Sequence, residues 1–297
     1  MIGFLTFCAF LSCTHIGLAR CVTLDIYSKI GTVPIYGFDG ASAVLHTGRT
    51  LHYQVALQTC NVVSGSSLRP EFTNTFGGHA QTWQSYNDKD VAPVPFVVFF
   101  DQKMMLNIEG GLVHLSRQVE VWGNDSALVT SIIYSADFGL VLDMSERLCT
   151  LASEDKQGAV TFSASEDEPQ RILTFADLLS NLRAGQYVHF MAMTFLCQGG
   201  QEHTFSNFGG YFPNYELPTP SSSEDVELRS SVQEIVHYDR TSASHVIDVI
   251  NIWMYGNRTV EIIDTRGRPP YTDLVHRHVS YCHLDTGVPG ASFSIFA

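Results

Sequence analysis

Lysine is the first scarcity. The 297-residue chain holds four lysines (Lys29, Lys89, Lys103 and Lys156), and its 17 basic residues face 30 acidic ones, for a formal charge of −13. No basic stripe runs through it. Duplex binding draws most of its affinity from Lys and Arg neutralising phosphates, so the composition excludes nucleic acid and disfavours an anionic membrane surface. Long apolar runs are missing too. Past the N-terminus the best is Pro95–Phe100, far short of the roughly 18 residues of a spanning helix, so no membrane insertion is expected. The tail GVPGASFSIFA lacks the apolar stretch of a lipid-anchor signal. The common catalytic signatures are also absent: a GxGxxG loop, a phosphate-binding GxxxxGK loop, HExxH, GxSxG, CxxC and the EF-hand loop. These gaps argue against the usual nucleotide, zinc-protease, serine-hydrolase and redox classes, and no cofactor is implied. With 45% hydrophobic and 16% charged residues, the composition is globular.

What is present begins with the apolar run IGFLTFCAFLSCT at 2–14. Gly17 and Ala19 supply small residues at the −3 and −1 positions of a cleavage site, which predicts a signal peptide over 1–19 and a secreted, extracellular protein. The run is preceded by no Lys or Arg, and a buried N-terminal strand is the alternative. Of the seven cysteines, Cys8 and Cys13 leave with the signal; Cys21, Cys60, Cys149, Cys197 and Cys282 remain. An odd count in an oxidising compartment predicts two bridges and one leftover thiol.

An internal repeat selects the bridges. Phe38–Cys60 aligns with Phe175–Cys197 at an offset of 137 without a gap, matching Leu45 with Leu182, Gly48 with Gly185 and His52 with His189. Phe76-Gly77-Gly78 then meets Phe208-Gly209-Gly210 at 132, the Gly123-Asn124 turn meets Gly256-Asn257 at 133, and Cys149 meets Cys282 at 133. QGAVTFS at 157–163 resembles PGASFS at 289–294. A repeat of this length is a whole domain rather than a solenoid turn. The expected organisation is one module at 36–164, an acidic, proline-containing linker at 165–171, and a second module at 172–297. Positional equivalence pairs Cys60 with Cys149 and Cys197 with Cys282. Each closes a loop of nearly 90 residues, worth about 4–5 kcal/mol on the loop-entropy model. Cys21 is left over, capped or available to join two chains into a dimer.

Local patterns set the expected fold. Phe175, Leu178, Leu179 and Leu182 fall at i, i+3, i+4 and i+7, one apolar helix face, with Gly185 as the stop. DGASAVLHTG, at 39–48, is the same element with weaker formers. Arg49–Cys60 alternates Leu51, Tyr53, Val55 and Leu57 against polar or small neighbours, a half-buried strand. FVVFF, LVHLSRQVEVW, ALVTSIIYS and FGLVLDM read as further strands, and HVIDVINIWMYGNRTVEIID as a hairpin turning at Gly256-Asn257. The expected fold class is α+β, mostly β: two similar modules, each a short N-terminal helix followed by a curved antiparallel sheet or small barrel with one disulfide.

Candidate chemistry is sparse. His276 and His278 share a strand face, as two metal ligands would, but no third ligand is nameable, and an exposed strand face is the simpler expectation; no metal site is assigned. His52 and His189 recur at equivalent positions and read as core-edge histidines satisfied by a backbone group. A Cys–His nucleophile at Cys60 or Cys197 requires unpaired thiols. No catalytic residue is assigned. Two sequons, Asn124-Asp-Ser and Asn257-Arg-Thr, fall on equivalent turns suited to glycans. The acidic stretch PTPSSSEDVE at 218–227 reads as a solvated loop rather than a calcium site.

The order Leu-Leu-x-x-Leu-x-x-Gly, a strand closing on Cys197, the Gly209-Gly210 pair, the hairpin, and Cys282 before a glycine-containing last strand resembles the VirK family. Those are small secreted proteins first associated with virulence in plant-pathogenic bacteria. The usual member resembles one module, and this chain resembles two in tandem. The first module departs from the pattern in a leucine-poor helix and about five extra residues between Cys60 and the double glycine. The resemblance implies secretion and a two-cysteine module; it brings no reaction, cofactor or catalytic residue. The expected function is non-catalytic binding of a glycan, cell-surface or protein ligand, with avidity from matching patches. The alternatives are a carrier of a small apolar ligand, lined by Phe190, Met191, Met193 and Phe195, and a hydrolase of unrecognised type.

Overall fold

The computed structural model describes residues 32–65, 75–87, 93–106, 111–136, 140–200, 205–212, 214–216, 226–239, 244–268, 273–285, 287 and 291–297. The segment 1–19 expected to be a signal peptide, Cys21 and most of the 218–227 loop lie outside them.

The first half of the chain runs β1 (Thr32–Ile35), α1 (Gly37–His46), β2 (Leu51–Ala56), β3 (Asn61–Gly65), β4 (Thr75–His79), β5 (Thr82–Tyr86), β6 (Phe96–Leu106), β7 (Leu112–Trp122), β8 (Ser126–Ser135), β9 (Val141–Thr150) and β10 (Val160–Ser165). The second runs β11 (Arg171–Ile172), α2 (Phe175–Arg183), β12 (His189–Ala192), β13 (Asn207–Tyr211), β14 (Asn214–Glu216), β15 (Val226–Asp239), β16 (Ser244–Tyr255), β17 (Thr259–Arg268), β18 (Asp273–His283) and β19 (Phe293–Phe296). Among the described residues the fold is mostly β, with two α-helices and three antiparallel sheets. Their strand orders are β1-β10-β2-β4, β11-β19-β12-β13-β5-β6-β7-β8-β9-β3 and β14-β15-β16-β17-β18. Bulges interrupt the long ladders, bending the strands and increasing their twist. The sheets stay open, and no barrel closes among the described residues; each ends in edge strands such as β3 and β18, so the barrel alternative falls away.

Local chemistry accounts for the elements. Helix α2 covers the expected leucine face, burying Leu178 and Leu182. Thr174 Oγ1 accepts from Asp177 N at 3.1 Å, satisfying an N-terminal donor that the helix itself leaves open. Tyr36, which precedes α1, provides no side-chain cap. Asp125 provides one from the β7–β8 turn, where its Oδ1 accepts from Phe38 N at 2.8 Å. The turns at 123–125 and 256–258 each end in a left-handed residue, Asp125 (φ 59°) and Arg258 (φ 69°), the geometry of a three-residue hairpin loop. The strand expected over 49–60 is shorter: after Ala56 the chain makes a 3₁₀ turn, Leu57–Thr59, which redirects Cys60 toward β9. Leu51, Tyr53, Val55 and Leu57 are all buried.

Two main cores form. One joins Leu51, Tyr53 and Val55 of β2 to Val97, Phe99, Val119 and Val129 of the facing sheet, closed by Val44 and Leu45 of α1. The other joins Leu178, Phe190 and Phe293 to Ile250, Ile252, Val260 and Ile262. A disulfide borders each: Cys60–Cys149 and Cys197–Cys282 are bonded, at sequence separations of 89 and 85.

Candidate functional site

The halves meet where β13 pairs with β5, so that the ten-stranded sheet takes strands from both. Gly209 lies opposite Trp83 in this register, and the indole lies where a side chain at 209 would be. Asn207 bonds Ser85 Oγ at 2.9 Å and contacts His46 Nε2 at 3.2 Å. Tyr211 N donates to Gln81 O at 3.1 Å. Only Ala80 and Gln81 separate β4 from β5, so the seam also carries the end of β4 against the end of β13.

That placement assembles four rings. His52 on β2 pairs in register with His79 on β4; His189 on β12 pairs with Tyr211 on β13. Ring centroids lie 6.3 Å apart for His52–His79, 6.1 Å for His79–Tyr211 and 6.4 Å for His189–Tyr211. The four are half-buried. Tyr187 extends the row outward, 6.1 Å from Tyr211 and 77% exposed. Thr50 Oγ1 sits 3.4 Å from His189 Nε2. His52 and His189 thus do not form two separate patches; they converge on one. The expected backbone partner is also corrected, since His189 meets a threonine hydroxyl at a sheet seam.

Burial pushes the pKa of His79 and His189 down, and a neighbouring histidine adds to each shift: His52 for His79, and His79 for His189. Burial likewise raises Tyr211, with Tyr187 adding to it. At neutral pH His79 and His189 are therefore held as neutral imidazoles and Tyr211 as a neutral phenol, aromatic faces edged with donors and acceptors. These shifts come from desolvation and like groups, with no carboxylate among their causes. Among the described residues no group of three His, Cys, Asp or Glu is arranged to hold a metal.

The other candidates scatter. His278 is buried and bonds Gly199 O at 2.8 Å, while His276 is exposed, with the two rings 6.1 Å apart. The thiol-nucleophile alternative fails because both sulfurs are in disulfides. Asn124 and Asn257 stand exposed in their turns, their Oδ1 atoms accepting from Ser126 N and Thr259 N. Phe190 and Met191 fill the cores, Met193 packs half-buried against the first and Phe195 is exposed. His79 and Tyr211 are the members that the sequence reading missed. The signal was available: each directly follows the shared Phe-Gly-Gly, so the repeat extends one aromatic residue further than the glycines.

No family model and no curated protein matches the chain. Among solved structures, a VirK family protein from Legionella pneumophila is similar at 13% identity, with a TM-score of 0.35, over 43% of this chain and 98% of that one. The similarity is remote.

Proposed function

We propose that the chain is a secreted, non-catalytic binding protein made of two VirK-like modules, 36–164 and 172–297 joined at 165–171, which grips a glycan of an extracellular surface at the seam. The ring row His52–His79–Tyr211–His189 with exposed Tyr187 carries this reading. Aromatic faces with polar edges suit a ligand that is apolar on one side and hydrogen-bonding at its rim, and tyrosines supply such contact at little entropic cost. The tandem reading is supported by matching pairings: β10–β2–β4 corresponds to β19–β12–β13, and β6–β7–β8–β9 to β15–β16–β17–β18. Secretion rests on the 1–19 segment and the cysteine usage, and glycan attachment at Asn124 and Asn257 on their exposed turns.

The test is a glycan array probed with the full chain secreted from eukaryotic cells, beside Tyr187→Ala and Tyr211→Ala. Binding by the wild type that weakens about tenfold or more in each variant is expected for anchor residues. Absence of glycan binding, or binding indifferent to both substitutions, overturns the proposal.

A further inference from the structure

The inner face of β7–β9 carries polar groups that the core does not use. Arg117, Ser131 and Ser145 lie opposite one another on the three strands, so their side chains share one face. One row away the same face sends Val119 and Val129 into the core. Arg147 follows Ser145 by two residues along β9 and therefore points the same way. All four are buried, with exposures of 4, 1, 1 and 8%. Arg117 is engaged: Asp101 lies 3.7 Å from its Nη1, and the Phe76 ring sits 4.1 Å from the guanidinium. Arg147 gives one N–H to Leu57 O at 3.1 Å, but its Nε and the hydroxyls of Ser131 and Ser145 have no hydrogen-bond partner. Buried polar groups in native proteins are satisfied, and a buried charge is paired. Among the described residues no carboxylate pairs with Arg147, so Asp101 answers only one of two buried guanidinium charges.

The equivalent row of the second half has no such surplus. There Ile250, Asp264 and His278 lie opposite one another on β16–β18, and His278 is bonded to Gly199 O.

We propose that the Ser131–Ser145–Arg147 cluster is a binding site for a small monoanion, chloride or a short carboxylate such as acetate. Both hydroxyls and the Arg147 Nε–H donate to it. One surplus positive charge sets the ligand's charge at −1, because a dianion would leave the site negative. The burial of the side chains around it limits its size.

The test uses thermal melts of the dialysed full chain against sodium chloride, sodium acetate and sodium sulfate, with ionic strength held by sodium gluconate, whose anion is too large for the site. Chloride or acetate is expected to raise Tm saturably, by about 5 °C at a hundredfold excess over Kd, with sulfate inert. Ser131→Ala/Ser145→Ala deletes only hydroxyls that lack partners, so it keeps the background Tm and loses the response. Independently of that variant, the wild-type chain broadens the chloride-35 resonance, and saturating acetate reverses the broadening. A flat response to both monoanions, an equal response in the double variant, a sulfate response matching theirs, or no chloride broadening without acetate-dependent stabilisation overturns the site.

Discussion

Gly209→Ala tests the seam directly. A Cβ at 209 falls 2.6 Å from Cε2 and Cζ2 of Trp83 and 2.7 Å from its Nε1, closer than any carbon pair tolerates. The indole has little room to retreat: it is buried, with the His46 ring edge-on at 5.1 Å and the β13–β5 ladder beneath it. Overpacking of a rigid site costs about 1–3 kcal/mol, and this contact involves three ring atoms, so the upper part of that range applies. Each kcal/mol moves Tm by roughly 2–4 °C in a protein somewhat smaller than this one, giving a loss of about 4–12 °C. Gly78→Ala is the matched control. It lies in the first-half Phe-Gly-Gly, and its added Cβ meets only the Tyr53 phenol, its hydroxyl at 3.7 Å and Cζ at 3.9 Å, ordinary contacts, so the change is expected within about 0.5 kcal/mol. The assay is thermal and urea unfolding of the oxidised proteins, with near-UV circular dichroism to report the tryptophan environment. Equal Tm values for Gly209→Ala and wild type, or equal losses in both variants, would refute the fit of Trp83 over Gly209 as the determinant of the seam.

Three further outcomes are expected. His79 and His189 have folded pKa values below the unfolded 6.5; the unfolded state therefore binds more protons just below pH 6.5, and stability is lost as pH falls through that value toward the folded pKa. Urea midpoints should decline below pH 6.5 in the wild type and decline less in His79→Phe and His189→Phe; parallel profiles would exclude the cluster as the source. Asp125→Ala removes the acceptor for Phe38 N at the start of α1 and should cost about 1–2 kcal/mol in chemical unfolding, while Asp177→Ala leaves the Thr174 cap of α2 in place and should cost less. Cys60→Ala/Cys149→Ala and Cys197→Ala/Cys282→Ala open loops of similar separation, 89 and 85, and should destabilise by similar amounts, about 4–5 kcal/mol each on the loop-entropy model; a difference of several kcal/mol between the pairs would show that loop entropy is not the main term.

Much of the local structure was legible in the residues. The i, i+3, i+4, i+7 leucines specify α2, because a helix must bury one apolar stripe. The alternation through Leu51, Tyr53 and Val55 specifies β2 and which of its faces is inside. Gly256-Asn257 between two alternating runs specifies the β16–β17 hairpin. These are determined by sequence alone because they depend on neighbours within a few residues. Periodicity states which side chains are buried and is silent about what they are buried against. The convergence of His52 and His189 was decided only in three dimensions: it needs β13 on β5, strands about 125 residues apart, and that pairing needs a side-chain-free position at Gly209 for Trp83 to lie across. The polar row on β7–β9 follows the same logic. Arg117, Ser131 and Ser145 are ordinary residues of an alternating strand until the strand register lines them up on one inward face, out of reach of water.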